Sequence, residues 1–187
     1  MEIIGGYSYL IVGIFFIFLL LLLITTGLRN VNSKVLFGAI LISGFWSIHQ
    51  YSTIINGHSQ YPILVLELLK NIAWGFLCIS LLIKTDSIAG LINFKHKLRW
   101  FYVVVLASVL MSVCFNFKII TDPIWLFMSQ LIQAISLLVM VEFLYRQGSS
   151  DFKWGFKPMA FIISASAIVD FIVYSSAVLL QQLDFTL

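Results

Sequence analysis

The sequence predicts an all-α, polytopic membrane protein, built as a bundle of about six transmembrane helices. Hydrophobic residues make up 61% of the 187 residues and charged residues only 10%, whereas soluble domains carry roughly 25% charged residues. Six stretches of the chain are long and apolar enough for helices that cross a bilayer. Their apolar residues run continuously rather than alternating, which favours helices over the strands of a membrane barrel. We therefore expect a single transmembrane helical domain over residues 1–187.

The six expected spans follow one another with short loops between them. They cover residues 7–28, 35–55, 63–83, 100–117, 124–145 and 159–180. We expect Pro123 and Pro158 to start the last two helices, since proline is compatible with the first turn of a helix. The first stretch has no basic residue before Arg29 and is too long for the apolar region of a signal peptide. We therefore expect it to be a retained span.

The basic residues predict the orientation of the chain. Nine of the eleven fall in the three loops on one side: Arg29, Lys34, Lys84, Lys95, Lys97, Arg99, Arg146, Lys153 and Lys157. Lys118 lies on the other side. The positive-inside rule places the nine in the cytoplasm, with both termini outside. The net charge of +3 thus reflects topology, and the lipid bilayer rather than a nucleic acid is the expected partner.

No pattern in the chain predicts catalysis, a metal site or a cofactor. Cys78 and Cys114 stand alone in apolar stretches, and no CxxC or Cys/His spacing occurs. His49, His58 and His96 are scattered and form no HExxH motif. Neither a nucleophile beside a base nor a glycine-rich phosphate loop is evident. We therefore predict no catalytic residue, no metal site and no cofactor in this chain.

The third span carries a polar cluster at helical spacing. Glu67 and Lys70 are three residues apart, and Asn71 follows Glu67 by four, so all three share one face of a helix. A charge at the bilayer centre costs at least ~2.5–3.5 kcal/mol, and an ion pair within the helix would reduce that cost. Two interpretations stay open: a sensing or ligand-binding cluster inside the bundle, or a structural pair that fixes helix packing.

The sixth span contains an acid without a base on its own helix. Asp170 lies at mid-depth, with Tyr174 one turn further along. Lys70 is a candidate partner, instead of or together with Glu67. The alternative is a protonated Asp170, since burial disfavours the charged form of a carboxyl group.

Three spaced motifs occupy the chain between the fifth and sixth spans. They read Glu142-Phe143-Leu144-Tyr145-Arg146, then Trp154-Gly155-Phe156-Lys157, then Asp170 followed at the fourth position by Tyr174. This pattern resembles the N-terminal membrane region of PrsK-type sensor histidine kinases, which are associated with exosortase/PEP-CTERM exopolysaccharide systems. The third span also resembles its counterpart in that family, where the basic residue is usually arginine. Independently of the family, Glu142 and Arg146 have the spacing of an interfacial ion pair.

The resemblance implies a sensor or anchor module of a two-component system. Its implied partners are a second copy of the chain, a downstream kinase domain and a response regulator. The 187 residues contain no dimerisation-box histidine, N-box or ATP lid, and Gln181-Gln182 stand where the family has a basic pair. We therefore expect no enzymatic activity in these residues. If they begin a longer chain, an odd number of further spans would bring a kinase into the cytoplasm.

Two other function classes remain as alternatives. A small transporter or channel would use intramembrane Glu, Lys and Asp as an ion path, although inverted repeats and interrupted spans are not evident. An integral-membrane enzyme ranks last, because the chain lacks a visible catalytic set.

Overall fold

The computed structural model describes residues 2–27, 30–56, 61–83, 99–147 and 150–180. Within these ranges the chain forms six α-helices and no strand: α1 (Glu2–Thr26), α2 (Val31–Asn56), α3 (Tyr61–Ile83), α4 (Arg99–Asn116), α5 (Ile124–Gln147) and α6 (Ser150–Leu180). Each contains a segment long and apolar enough to cross a membrane. The prediction of an all-helical integral membrane protein is therefore confirmed.

Helix α5 begins where its sequence predicts. The Asp122 carboxylate accepts a hydrogen bond from the backbone N–H of Ile124 at 3.0 Å, which satisfies a donor that the helix itself leaves open. The Pro123 carbonyl accepts bonds from the backbone N–H groups of Leu126 and Phe127 at 3.0 and 3.1 Å. Pro123 thus occupies the first turn, where its missing N–H removes no helical bond.

Helix α6 begins earlier than expected. Its apolar membrane segment starts at Met159, but the helix starts at Ser150, so Pro158 lies inside it. The prediction that Pro158 starts this helix is wrong. Ser150 and Asp151 are residue types that favour a helix N-terminus, and they are a start signal that the proline obscured. Proline has no N–H, so α6 lacks one backbone hydrogen bond within its first three turns.

Helix α4 ends in a left-handed cap. Lys118 has a φ of 56°, its N–H donates to the Phe115 carbonyl at 3.0 Å, and the N–H of Ile119 donates to the Cys114 carbonyl at 2.9 Å. This pair of bonds is a Schellman motif, which usually carries glycine at the left-handed position. Gly27 has that role after α1, with a φ of 91°. At Lys118 the side chain makes the same conformation strained.

Replacing Lys118 by glycine is expected to stabilise the protein by about 1 kcal/mol, because glycine enters the left-handed region without steric cost. The free energy of unfolding of the purified protein in detergent measures the effect. Lys118→Ala is the matched control, since it removes the same charge but keeps a β-carbon. An equal gain in both variants would attribute the effect to the charge instead of the backbone.

The helices fall into two compact units. The first contains α1, α2 and α3 as far as Ser80, and the second contains α4, α5 and α6. In the first unit α1 packs closely on α2 at Gly13, where an added β-carbon would lie 2.9 Å from Ser47 Oγ and 3.1 Å from Ile48 Cγ1. The two backbones approach this closely because Gly13 has no side chain.

In the second unit α5 packs against both α4 and α6. The Ser108 hydroxyl of α4 donates to the Ser129 carbonyl of α5 at 3.5 Å. Gln130 and Gln133 of α5 are fully buried. Polar side chains therefore lie in the interior of this unit as well.

Candidate functional site: a polar cluster on α2 and α3

Helix α3 carries the predicted acid, base and amide on one buried face. Glu67, Lys70 and Asn71 are 3%, 3% and 1% exposed. Lys70 Nζ lies 3.8 Å from Glu67 Oε1, so the ion pair expected from their spacing is present. This separation exceeds the roughly 2.7–2.9 Å of a direct charge-assisted hydrogen bond. The pair is therefore an electrostatic contact rather than a direct hydrogen bond.

Helix α2 supplies a second contact for the same ammonium group. Lys70 Nζ lies 4.0 Å from the centroid of the Trp46 ring, which is the geometry of a cation–π interaction. On α1, Tyr9 meets the Trp46 ring edge-on, with ring centroids 5.6 Å apart and planes at 83°. Trp46 therefore contacts both of the other helices in its unit. The sequence alone does not single out this residue, because tryptophan is also common at membrane interfaces.

One turn further along α3, Trp74 also bonds to α2. Its indole N–H donates to Ser43 Oγ at 3.0 Å, and the Ser43 hydroxyl donates to the Ala39 carbonyl at 2.8 Å. Trp74 continues the face of Lys70, as its spacing predicts. The Ser43 hydroxyl therefore forms one hydrogen bond within α2 and a second one to α3.

Two contacts fix how α2 and α3 run past each other. Ser43 of α2 bonds to Trp74 of α3. Three residues further along α2, Trp46 contacts Lys70, which precedes Trp74 by four residues on α3. The helices are therefore antiparallel. Continuing the same register by one turn brings Gln50 level with Glu67.

Two polar atoms on the same face of α2 are buried. Trp46 Nε1 and Gln50 Oε1 have no hydrogen-bond partner in the described ranges of the chain. Gln50 is 1% exposed. We call the set Trp46, Gln50, Glu67, Lys70 and Asn71 the α2–α3 cluster. If its acid and base are both ionised, its net charge is zero, which is the condition under which such groups persist in a bilayer.

The predicted polar residues of α6 are also buried, in the second unit. Asp170 is 5% exposed and Tyr174 0%, and their spacing puts them on one face of the helix. The pairing of Asp170 with Lys70 stays a prediction.

The motif residues at the end of α5 lie on the surface instead. Arg146 Nη2 is 2.7 Å from Glu142 Oε1, with side chains 77% and 60% exposed. Tyr145 and Lys157 are exposed too, and the Trp154 side chain lies outside what the structure describes. Glu142 and Arg146 therefore form the i, i+4 ion pair that their spacing allowed.

The remaining candidates for chemistry do not converge. Cys78 is buried and Cys114 half-buried, and both are free thiols. His49 lies on α2, while His58 and His96 fall outside the described residues. Among the described residues, no group of three or more His, Cys, Asp or Glu side chains could hold a metal ion. The α2–α3 cluster is the candidate site with the most geometry to support it.

Comparison of the chain with protein-family models, with curated proteins and with solved structures gave no match. The resemblance to PrsK-type kinases therefore rests on the sequence motifs alone and stays a prediction.

Proposed function

We propose that this chain is a membrane-embedded sensor module of a two-component system, in which the α2–α3 cluster reads the signal. The observation that carries the proposal is the position of the Lys70 ammonium group, 3.8 Å from the Glu67 carboxylate and 4.0 Å from the Trp46 ring centroid. Both contacts lie within membrane-spanning segments. The module would reside in a bacterial inner membrane with both termini outside.

The two contacts of Lys70 respond differently to helix movement. Glu67 is on the same helix, so the Glu67–Lys70 contact survives a shift of α3 along α2. Trp46 is on the neighbouring helix, so the same shift breaks the cation–π contact. One charged side chain thereby distinguishes two positions of a helix pair, which is what a two-state switch between packed helices requires.

The form of the two helices favours a sensor over a transporter. Both α2 and α3 run without interruption through the cluster, whereas transporters commonly bind ions and substrates at broken helices. The resemblance supplies the proposed output, which is a kinase domain and a response regulator acting after dimerisation of the module.

Trp46→Leu tests the proposal in the source bacterium. A strain lacking the gene is complemented with the wild type, with Trp46→Leu or with Trp125→Leu, and transcripts are sequenced. We expect Trp46→Leu to change the regulated genes, because it removes the contact between helices while leaving Glu67 and Lys70 in place. Trp125, which is 51% exposed, is the matched control and should leave them unchanged. Asp170→Asn is expected to alter the same genes.

Two results would contradict the proposal that the chain is a sensor module. Wild-type transcription from both Trp46→Leu and Asp170→Asn, at normal membrane levels, would reject it. Ion flux through the wild-type protein in liposomes, abolished by Lys70→Ala, would establish the transporter in its place.

A further inference from the structure

We propose that the α2–α3 cluster binds a small neutral molecule that both accepts and donates a hydrogen bond, with water as the smallest example. The molecule would accept from Trp46 Nε1–H and donate to Gln50 Oε1. This names the ligand class of the site on which the proposed function rests.

The first argument is the complementarity of the two atoms. The indole N–H is only a donor and the amide oxygen only an acceptor. Both are buried and have no hydrogen-bond partner in the part of the chain that the structure describes. Trp46 and Gln50 are four residues apart on α2, so they lie on the same face. A molecule that reaches both atoms would satisfy both groups at once, and buried polar groups are satisfied in nearly all proteins.

The second argument is the charge around the two atoms. The Lys70 ammonium group lies 4.0 Å from the centroid of the Trp46 ring and 3.8 Å from the Glu67 carboxylate, and the helix register defined by these contacts brings Gln50 level with Glu67. With both groups ionised, the positive and negative charges balance. A charged ligand would therefore leave an uncompensated charge inside the bilayer, whereas a neutral dipolar ligand would not. Internal water molecules in proteins commonly bond to two to four otherwise unsatisfied polar groups.

A double-mutant cycle tests whether one molecule joins the two groups. Trp46→Phe keeps a ring over Lys70 but removes the N–H, and Gln50→Met keeps the shape of glutamine but removes the oxygen. We expect each to lower the melting temperature of the purified protein by about 2–4 °C. The double variant should fall no further than either single variant, because losing either partner already breaks the bridge. Trp125→Phe, at an exposed site, is the control and should have little effect.

A cluster without a ligand gives the opposite result. Gln50→Met would then raise the melting temperature, because it replaces a buried, unbonded amide by an apolar group of similar shape. The effects of the two substitutions would also add. Either outcome would overturn the proposal.

A measurement on the wild-type protein removes the dependence on variants that fold. The indole ¹⁵N–H signal of Trp46 in lipid nanodiscs is identified by its loss in Trp46→Phe, or by selective labelling. A magnetisation-transfer peak to water identifies water as the ligand. If the chemical shift of the Trp46 indole signal changes on exhaustive dialysis and is restored when the dialysate is added back, the ligand is a small solute. A folded protein with neither result contains no such ligand.

The two proposals fail separately. If the nanodisc experiment detects neither water nor a solute at Trp46, the ligand proposal is wrong. The sensor proposal then still depends on the transcription experiment. Unchanged transcription rejects the sensor, while a water or solute signal at Trp46 would still establish the binding site.

Discussion

Lys70→Met is expected to destabilise the folded protein by about 3–5 kcal/mol, the cost of removing one partner from a buried ion pair. The substitution takes away the ammonium group that lies 3.8 Å from the Glu67 carboxylate, and Glu67 is only 3% exposed. Unfolding of the purified protein by a denaturing detergent gives the change in free energy. The loss should be reflected in reduced protein levels in the membrane.

The chain offers a matched control on a different helix. Glu142 and Arg146 form an ion pair at 2.7 Å, but their side chains are 60% and 77% exposed. Arg146→Met should therefore cost no more than about 1 kcal/mol, since water screens exposed pairs. Glu67→Gln combined with Lys70→Met should recover most of the loss of Lys70→Met alone, because no buried charge remains. Similar small losses at both pairs would contradict the burial of the Glu67–Lys70 pair.

Gly13→Ala is expected to destabilise the protein by about 1–3 kcal/mol, the usual cost of adding a group to a closely packed contact. The new β-carbon would lie 2.9 Å from Ser47 Oγ and 3.1 Å from Ile48 Cγ1. The serine hydroxyl can rotate, but it donates to the Gly44 carbonyl at 3.0 Å, so moving it disturbs that bond. The same detergent titration measures the loss.

The same substitution at Gly38, on the neighbouring helix α2, should have the opposite sign. A β-carbon on Gly38 would meet nothing within 4 Å, so Gly38→Ala should gain up to about 1 kcal/mol of helix propensity. Gly44→Ala is intermediate, since its β-carbon would make an ordinary contact 3.5 Å from Phe16 Cβ. Losses of equal size at Gly13 and Gly38 would show that close packing of α1 on α2 is not what Gly13 provides.

The part of the site on α3 could be predicted because it depends on one helix. The spacing of Glu67, Lys70 and Trp74 fixes their shared face, whatever surrounds it. The fold class follows with equal directness from six apolar stretches of sufficient length. Local rules are enough when both partners belong to the same regular element.

The part of the site on α2 could not be predicted in the same way. Trp46 and Gln50 belong to a polar stripe with Ser43, Ser47 and Thr53, and its helical spacing is visible in the sequence. However, the spacing does not say which helix the stripe faces, because that depends on tertiary packing. An aromatic residue in an apolar stretch can face the lipid or contact a lysine of another helix, and the sequence does not distinguish the two.

The error at α6 has a different origin. Pro158 is a valid helix start, and its membrane segment does begin at Met159. Local propensity makes both Ser150 and Pro158 acceptable as the start of the helix and does not decide between them. The helix continues through the proline, at the loss of one hydrogen bond.

The polar buried face of α2 has a consequence for biogenesis. Of the six membrane segments, that of α2 is the least apolar and that of α1 the most. Helix α1 precedes α2 along the chain, so of these two helices the one that partitions into lipid more readily is synthesised first, while α2 gains less from lipid alone. Close contact at Gly13 gives α2 a neighbour that is already inserted when it emerges. We therefore expect α1 to favour the insertion of α2, because the two helices pack closely at Gly13.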